Sequence, residues 1–211
     1  MQRRLVDFWF KSVRASNFSQ QSISESAGLW FGMGRTPAQE ADTDQIMLKC
    51  APLLDDPPRL NLGLGADLLA HCVLYDQVPR TIHSGTAKAF QYGERAEQAV
   101  LQGIANGAHL EIHPLERTFV YLVLMHSESL KHHRLAREMY TNTLNEALND
   151  KDAFGTPVTD YLKNVFGFLE SHTQVIERFG RYPHRNAVLG RDSNESERAW
   201  LESSERPGWA R

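Results

Sequence analysis

The chain has 211 residues, a net charge of −3 and a hydrophobic fraction of 41%, which suits one domain with a continuous core (residues 1–211) and excludes a disordered or polyelectrolyte chain. An isoelectric point near 6.3 argues against the basic stripe of a duplex binder, so no nucleic-acid partner is expected. The longest uninterrupted apolar run, FVYLVLM, is far short of the roughly 20 residues that span a bilayer, so no membrane partner is expected either.

The first residues, MQRRLVDFWFKSV, place Asp7 and Lys11 around a short apolar stretch and do not read as a signal peptide. Cys50 and Cys72 lie in apolar surroundings without metal-type or C-x-x-C spacing, which fits a reducing, cytoplasmic compartment. Residues 64–82 carry Leu64, Leu68, Leu69, Cys72 and Val73 at three- and four-residue spacing, the pattern of one helix face. Residues 86–105 repeat it with Ala89, Phe90, Gly93, Ala96, Val100, Leu101 and Ile104, and Asn106-Gly107 offers a stop. Pro114 suits the first turn of a third helix, where its missing N–H has no intrahelical partner, and Phe119, Leu122 and Val123 form the inner stripe of that helix.

A further helical run extends to about Leu148. NDKDAFGTP then reads as a polar connection before a long helix that buries Leu162, Val165, Phe166, Leu169, Ile176 and Phe179. Asn194 followed by Glu197 signals a capped final helix. No segment alternates with period two between hairpin turns. The expected fold is therefore all-α: antiparallel helix pairs in a right-handed array like that of tetratricopeptide repeats (TPR), or a bundle.

Three stripes end in titratable groups. Asp76 and Arg80 continue the face of Cys72 and Val73, His126 continues Phe119, Leu122 and Val123, and His172 follows Leu169. Buried without partners such groups are costly, so they are expected to meet each other and the guanidiniums of RFGRYPHRNAVLGR, residues 178–191, which contains no acid and no lysine. Arginine's planar fork binds carboxylate or phosphate in a bidentate way that lysine cannot.

The strings LYDQVPRTIHSGTAKAF, FVYLVLMHSES and RFGRYPHRNAVLGR, with DFWF at 7–10 and LWF at 29–31, resemble the bacterial domain-of-unknown-function family 924 over almost the whole chain. That resemblance implies an all-helical, TPR-like fold and no established activity. Its words fall on Asp76, Gln77 and Arg80, on His126 and Glu128, and on Arg178, Arg181, His184, Arg185 and Asn186. The sequence departs from the pattern at Thr81, Ser84 and Gly93, where asparagine, arginine and aspartate are expected; the last two read as a missing salt bridge.

No P-loop and no G-x-S-x-G occurs, and GLGADL lacks the third glycine of a dinucleotide fingerprint, so no cofactor is expected. The preferred reading is a pocket for a small anionic ligand, lined by Arg80, Arg178, Arg181 and Arg185, oriented by Gln77 and Asn186, with Asp76 holding an arginine. Were it an enzyme, His126 or His184 would be the general acid or base, tuned by Glu128 or by the arginines. Alternatives are a groove for a partner peptide, in which Trp9, Trp30 and Phe31 would be core or groove wall, and a buried polar scaffold. A metal-dependent hydrolase using Asp76, His126, Glu128 and His172 is a further alternative, which requires the helix to break near Ser127 because H-x-E on a helix points to opposite faces.

Overall fold

The computed structural model describes residues 2–31, 37–55 and 60–211, and every regular element among them is helical. The helices are α1 (Gln2–Ala15), α2 (Gln20–Phe31), α3 (Pro37–Cys50), α4 (Pro52–Asp55), α5 (Gly65–Cys72), α6 (Val78–Ile82), α7 (Gly93–Ala105), α8 (Pro114–Met125), α9 (Leu130–Asn149), α10 (Lys151–Phe179) and α11 (Glu195–Glu202). None is long and apolar enough to cross a membrane among the described residues.

The centre of the fold is α8, which begins at Pro114 as its missing N–H dictates. All of its residues are buried, so it has no solvent face, and the stripe of Phe119, Leu122 and Val123 is one side of a helix enclosed on every side. It packs against α5, α7, α9 and α10. Polar groups in its first turns are paired: Glu116 receives Arg14 at 2.5 and 3.0 Å, and Arg117 reaches Glu146 at 2.5 Å and the Ile112 carbonyl at 3.0 Å. One side of the core is aromatic. Trp9, Phe10 and Trp30 surround Phe119, and Trp30 donates from Nε1 to the Trp9 carbonyl at 2.9 Å. Trp9 and Trp30 are thus core residues, whereas Phe31 stacks on Phe119 at the rim and stays 40% exposed.

The helix expected over residues 64–82 is continuous but not uniform. Between α5 and α6 the residues Val73–Gln77 form a turn of π-helix, closed by the Val78 N–H on the Val73 carbonyl. Pro79 supplies the reason: in an unbroken α-helix it would leave the Tyr75 carbonyl without a donor and its ring would strike that carbonyl, and a widened turn relieves both. Asp76 sits on this widened turn.

Residues 86–105 also divide, into a 3₁₀ turn (Ala87–Phe90) and α7. Helix α7 lies close against α5 because Gly103 has no side chain where a Cβ would overlap the δ carbons of Leu68. The stretch NDKDAFGTP is partly helical: Asp150 caps α10 by accepting from the Ala153 N–H, and Gly155, with φ 73° and ψ 166°, kinks the helix just before Pro157. Helix α10 stops at Gly180 in the left-handed region, φ 69°. The final helix, α11, has both halves of the capping box, Asn194 accepting from Glu197 N–H and Glu197 accepting from Asn194 N–H. A small second core of Val175, Ile176, Tyr182, Trp200 and Ala210 fastens this C-terminal section to α10.

Candidate functional site

Helix α8 ends at His126, which caps it, and Ser127–Ser129 turn the chain into α9. The π turn, the 3₁₀ turn at Phe90, the start of α7 and this end of α8 meet the loop after α10, and they enclose a cleft of about 290 Å³. Asp76, Arg80, Phe90, His126 and Arg185 line it, with Gly93, Glu94, Glu97, Val123, Ser127, Glu128 and Leu189 completing the wall.

Asp76 is 3% exposed, yet both its oxygens are saturated: Arg80 Nε donates at 3.0 Å, Gln77 Nε2 at 2.6 Å, and His126 Nδ1 lies 2.9 and 2.8 Å away. Burial pushes this carboxyl up, but Arg80 and His126 outweigh it and hold it below the ordinary carboxylate range. The imidazole of His126 moves the other way. Burial and then Arg80 draw it down to about 4 against the pull of Asp76, so it is neutral at pH 7. With Nδ1 facing a carboxylate, Nδ1 carries the proton and Nε2 is left as a free base, on a side chain that remains 17% exposed.

The arginines of residues 178–191 have different uses. Arg181 forks onto Glu197 at 2.6 and 2.8 Å and holds that buried carboxyl down at about 2. Arg191 forks onto Glu128 at 2.6 and 2.9 Å. Arg178 is exposed, 3.5 Å from Glu205. Arg185 alone has no carboxylate within ion-pair distance among the described residues, although it is only 7% exposed. It lies between the rings of Tyr182 and Phe90, 4.2 and 4.8 Å from their centroids. One guanidinium nitrogen donates to the His126 carbonyl at 2.9 Å, and Nε finds no partner among the described residues. Burial, then the neighbouring Arg80, draws it down to about 9.

The family model for the bacterial protein of unknown function DUF924 matches residues 5–205. The chain belongs to the DUF924 family. A solved structure of a protein of unknown function, ATU0120 from Agrobacterium tumefaciens, is 24% identical and covers 82% of this chain and 88% of that one, with a TM-score of 0.62. At that identity the likeness concerns the fold. A comparison with curated proteins gives no match.

Of the site residues expected from the sequence, this DUF924 protein brings Asp76, Arg80, His126, Glu128 and Arg185 to one cleft, with Gln77 bonded to Asp76 behind it. Arg178 and Arg181 are not on its wall, since their guanidiniums turn to Glu205 and Glu197. Asn186 is buried and ties Ser193 and Glu197 to the loop at 3.0 and 3.3 Å. His184 packs on Tyr182 and Trp209, outside the lining, and burial and Arg185 draw it down to about 3. His172 donates from Nδ1 to the Phe168 carbonyl at 2.7 Å and stacks on Trp209 at 3.7 Å, with burial drawing it to about 2.

The helix does break near Ser127, but the Glu128 oxygens are taken by Arg191 and the Tyr182 N–H, and no group of three His, Cys, Asp or Glu side chains among the described residues is arranged to hold a metal ion. Gly93, where the resemblance leads one to expect aspartate, is on the cleft wall, and Ser84 is on an exposed turn. Sequence reasoning missed Phe90, Glu94, Glu97 and Tyr182. The only available signal was the i, i+3 spacing of the two glutamates at the start of α7.

Proposed function

We propose that this protein binds a small molecule bearing a carboxylate or phosphate, with Arg185 and Arg80 receiving the anion. The observation that carries this reading is the isolation of Arg185. Arg181 and Arg191 each have a bidentate carboxylate, whereas Arg185 is held charged and buried between two rings beside a second guanidinium, with none. A buried charge with no carboxylate in contact, helped only at longer range by Glu128 and Asp76, destabilises the empty protein, and a ligand anion is the group that removes that cost. The cleft volume of about 290 Å³ suits a small molecule better than a peptide segment.

The test is a thermal shift of the wild type and of Arg185→Met with inorganic phosphate, succinate and citrate. Phosphate also stabilises proteins by exclusion from their surfaces, so the expected result is a wild-type shift that is lost in Arg185→Met. Equal shifts in both proteins, or none in the wild type, overturn the reading.

A second reading, acid–base catalysis on the bound anion, is favoured by the Asp76–His126 pair, which fixes the imidazole tautomer and leaves Nε2 unprotonated beside the arginines. On a substrate found by such a screen, His126→Gln is expected to lower turnover by about 10²–10⁴-fold. Full turnover in that variant removes His126 from the chemistry.

A further inference from the structure

The cleft carries charge of both signs. Arg80 and Arg185 lie over one ring, their guanidinium carbons 5.3 and 4.8 Å from the Phe90 centroid. The first two turns of α7 bring Glu94 and Glu97 to the same space. The remaining carboxylates on the wall are already matched, Asp76 by Arg80 and His126, and Glu128 by Arg191. Glu94 and Glu97 are not. Glu94 accepts only from the Gln98 amide at 3.3 Å, and Glu97 meets only the His132 imidazole at 3.1 Å, with no arginine or lysine within ion-pair distance of either among the described residues.

Arg185, 7% exposed and without a carboxylate, therefore shares one small cleft with two glutamates that have no arginine or lysine partner among the described residues, and it does not reach them. Opposite charges left unpaired in one space, rather than paired with each other, are complementary to a molecule that carries both. A plain anion would satisfy the arginines and be repelled by the glutamates. A plain amine would meet the reverse.

We propose that the ligand is zwitterionic: a small molecule whose carboxylate or phosphate lies on Arg185 and Arg80 and whose protonated amine lies on Glu97 and Glu94. This rests on the anion-binding reading and names the class of molecule. The volume of about 290 Å³ holds roughly ten waters, enough for a molecule of amino-acid or phosphoamine size.

Calorimetric titration with matched pairs tests it: phosphoethanolamine against propyl phosphate, and 4-aminobutyrate against pentanoate, each pair differing in an ammonium replaced by a methyl group. The wild type is expected to bind one zwitterion about tenfold more tightly than its isostere, the order of a single partly desolvated ion pair. Glu97→Gln, which keeps the size of the side chain and removes its charge, is expected to bring the zwitterion to the level of its isostere, with Glu94→Gln as the second variant on an exposed position. Equal or tighter binding of the isosteres by the wild type, or a preference unchanged in both glutamine variants, overturns the zwitterion while leaving the anion reading standing. If none of the four probes binds, or if binding survives Arg185→Met undiminished, the anion reading falls and this inference falls with it.

Discussion

Replacing Arg185 by methionine is expected to stabilise the unliganded protein. The guanidinium is drawn from its ordinary 12.5 to about 9 by burial and by Arg80, a shift that corresponds to roughly 5 kcal/mol opposing the charge as an upper bound. Against this stand two cation–π contacts, with Tyr182 at 4.2 Å and Phe90 at 4.8 Å, and one hydrogen bond to the His126 carbonyl, which return about 1 kcal/mol each. Methionine keeps apolar contact with both rings and adapts to the space, so a net gain of about 1–2 kcal/mol is left. For a chain of this length that is a rise in melting temperature of roughly 3–6 °C. Differential scanning calorimetry at pH 7.5 in low salt measures it, with the anion titration as the companion assay. A variant that is more stable and no longer responds to anions is the behaviour of a binding residue held in place at the expense of stability. A melting temperature several degrees below wild type would show that Arg185 is structural and refute the argument.

Other outcomes follow from the same geometry. Acidification from pH 7 to pH 5 is expected to weaken the fold: His71, His113 and His126 are drawn to about 4, His184 to about 3 and His172 to about 2. The unfolded chain therefore takes up more protons once pH falls below about 6.5, and each group costs roughly 2 kcal/mol by pH 5, a sum comparable with the whole stability of a domain. Equal urea midpoints at the two pH values would contradict this. Arg181→Met leaves the buried Glu197 without its fork; the melting temperature is expected to fall by several degrees with the anion response intact, and loss of that response would return Arg181 to the site. Gly103→Ala forces a Cβ against Leu68 between α5 and α7, and a loss of about 1–3 kcal/mol in denaturant unfolding is expected.

The elements legible in the sequence are those fixed by local chemistry. Pro114 sets the start of α8, Asn194 and Glu197 cap α11, and the apolar spacing from Leu162 to Phe179 gives the main run of α10. What periodicity does not reveal is departure from the α period or the absence of an outer face. The π turn at Val73–Gln77 answers to Pro79 and the packing around it, and the helical start of α10 depends on Gly155 taking a positive φ. Helix α8 reads as amphipathic because Glu116 and Arg117 count as surface residues in any such pattern, whereas both are buried and paired with Arg14 and Glu146.

The candidate site shows the same division. Titratable residues at the ends of apolar stripes mark Asp76 and His126 because a stripe is a statement about burial, and burial of a charge implies a partner. The arginine-rich segment is different, since its residues are alike in type and close in number while their surroundings are set by long-range contacts. Arg191 finds Glu128 sixty-three positions away, and Arg181 finds Glu197 sixteen positions on. Which arginine is left over is decided only when every acid in reach has been assigned. Asp76 goes to Arg80 and His126, Glu128 to Arg191, Glu197 to Arg181 and Glu205 to Arg178. Arg185 remains, on the cleft, and the forks on either side of it fix the loop that carries it. The paired arginines thus fix the loop that carries the unpaired one, and the rigidity that the proposed anion site requires is supplied by the scaffold around it.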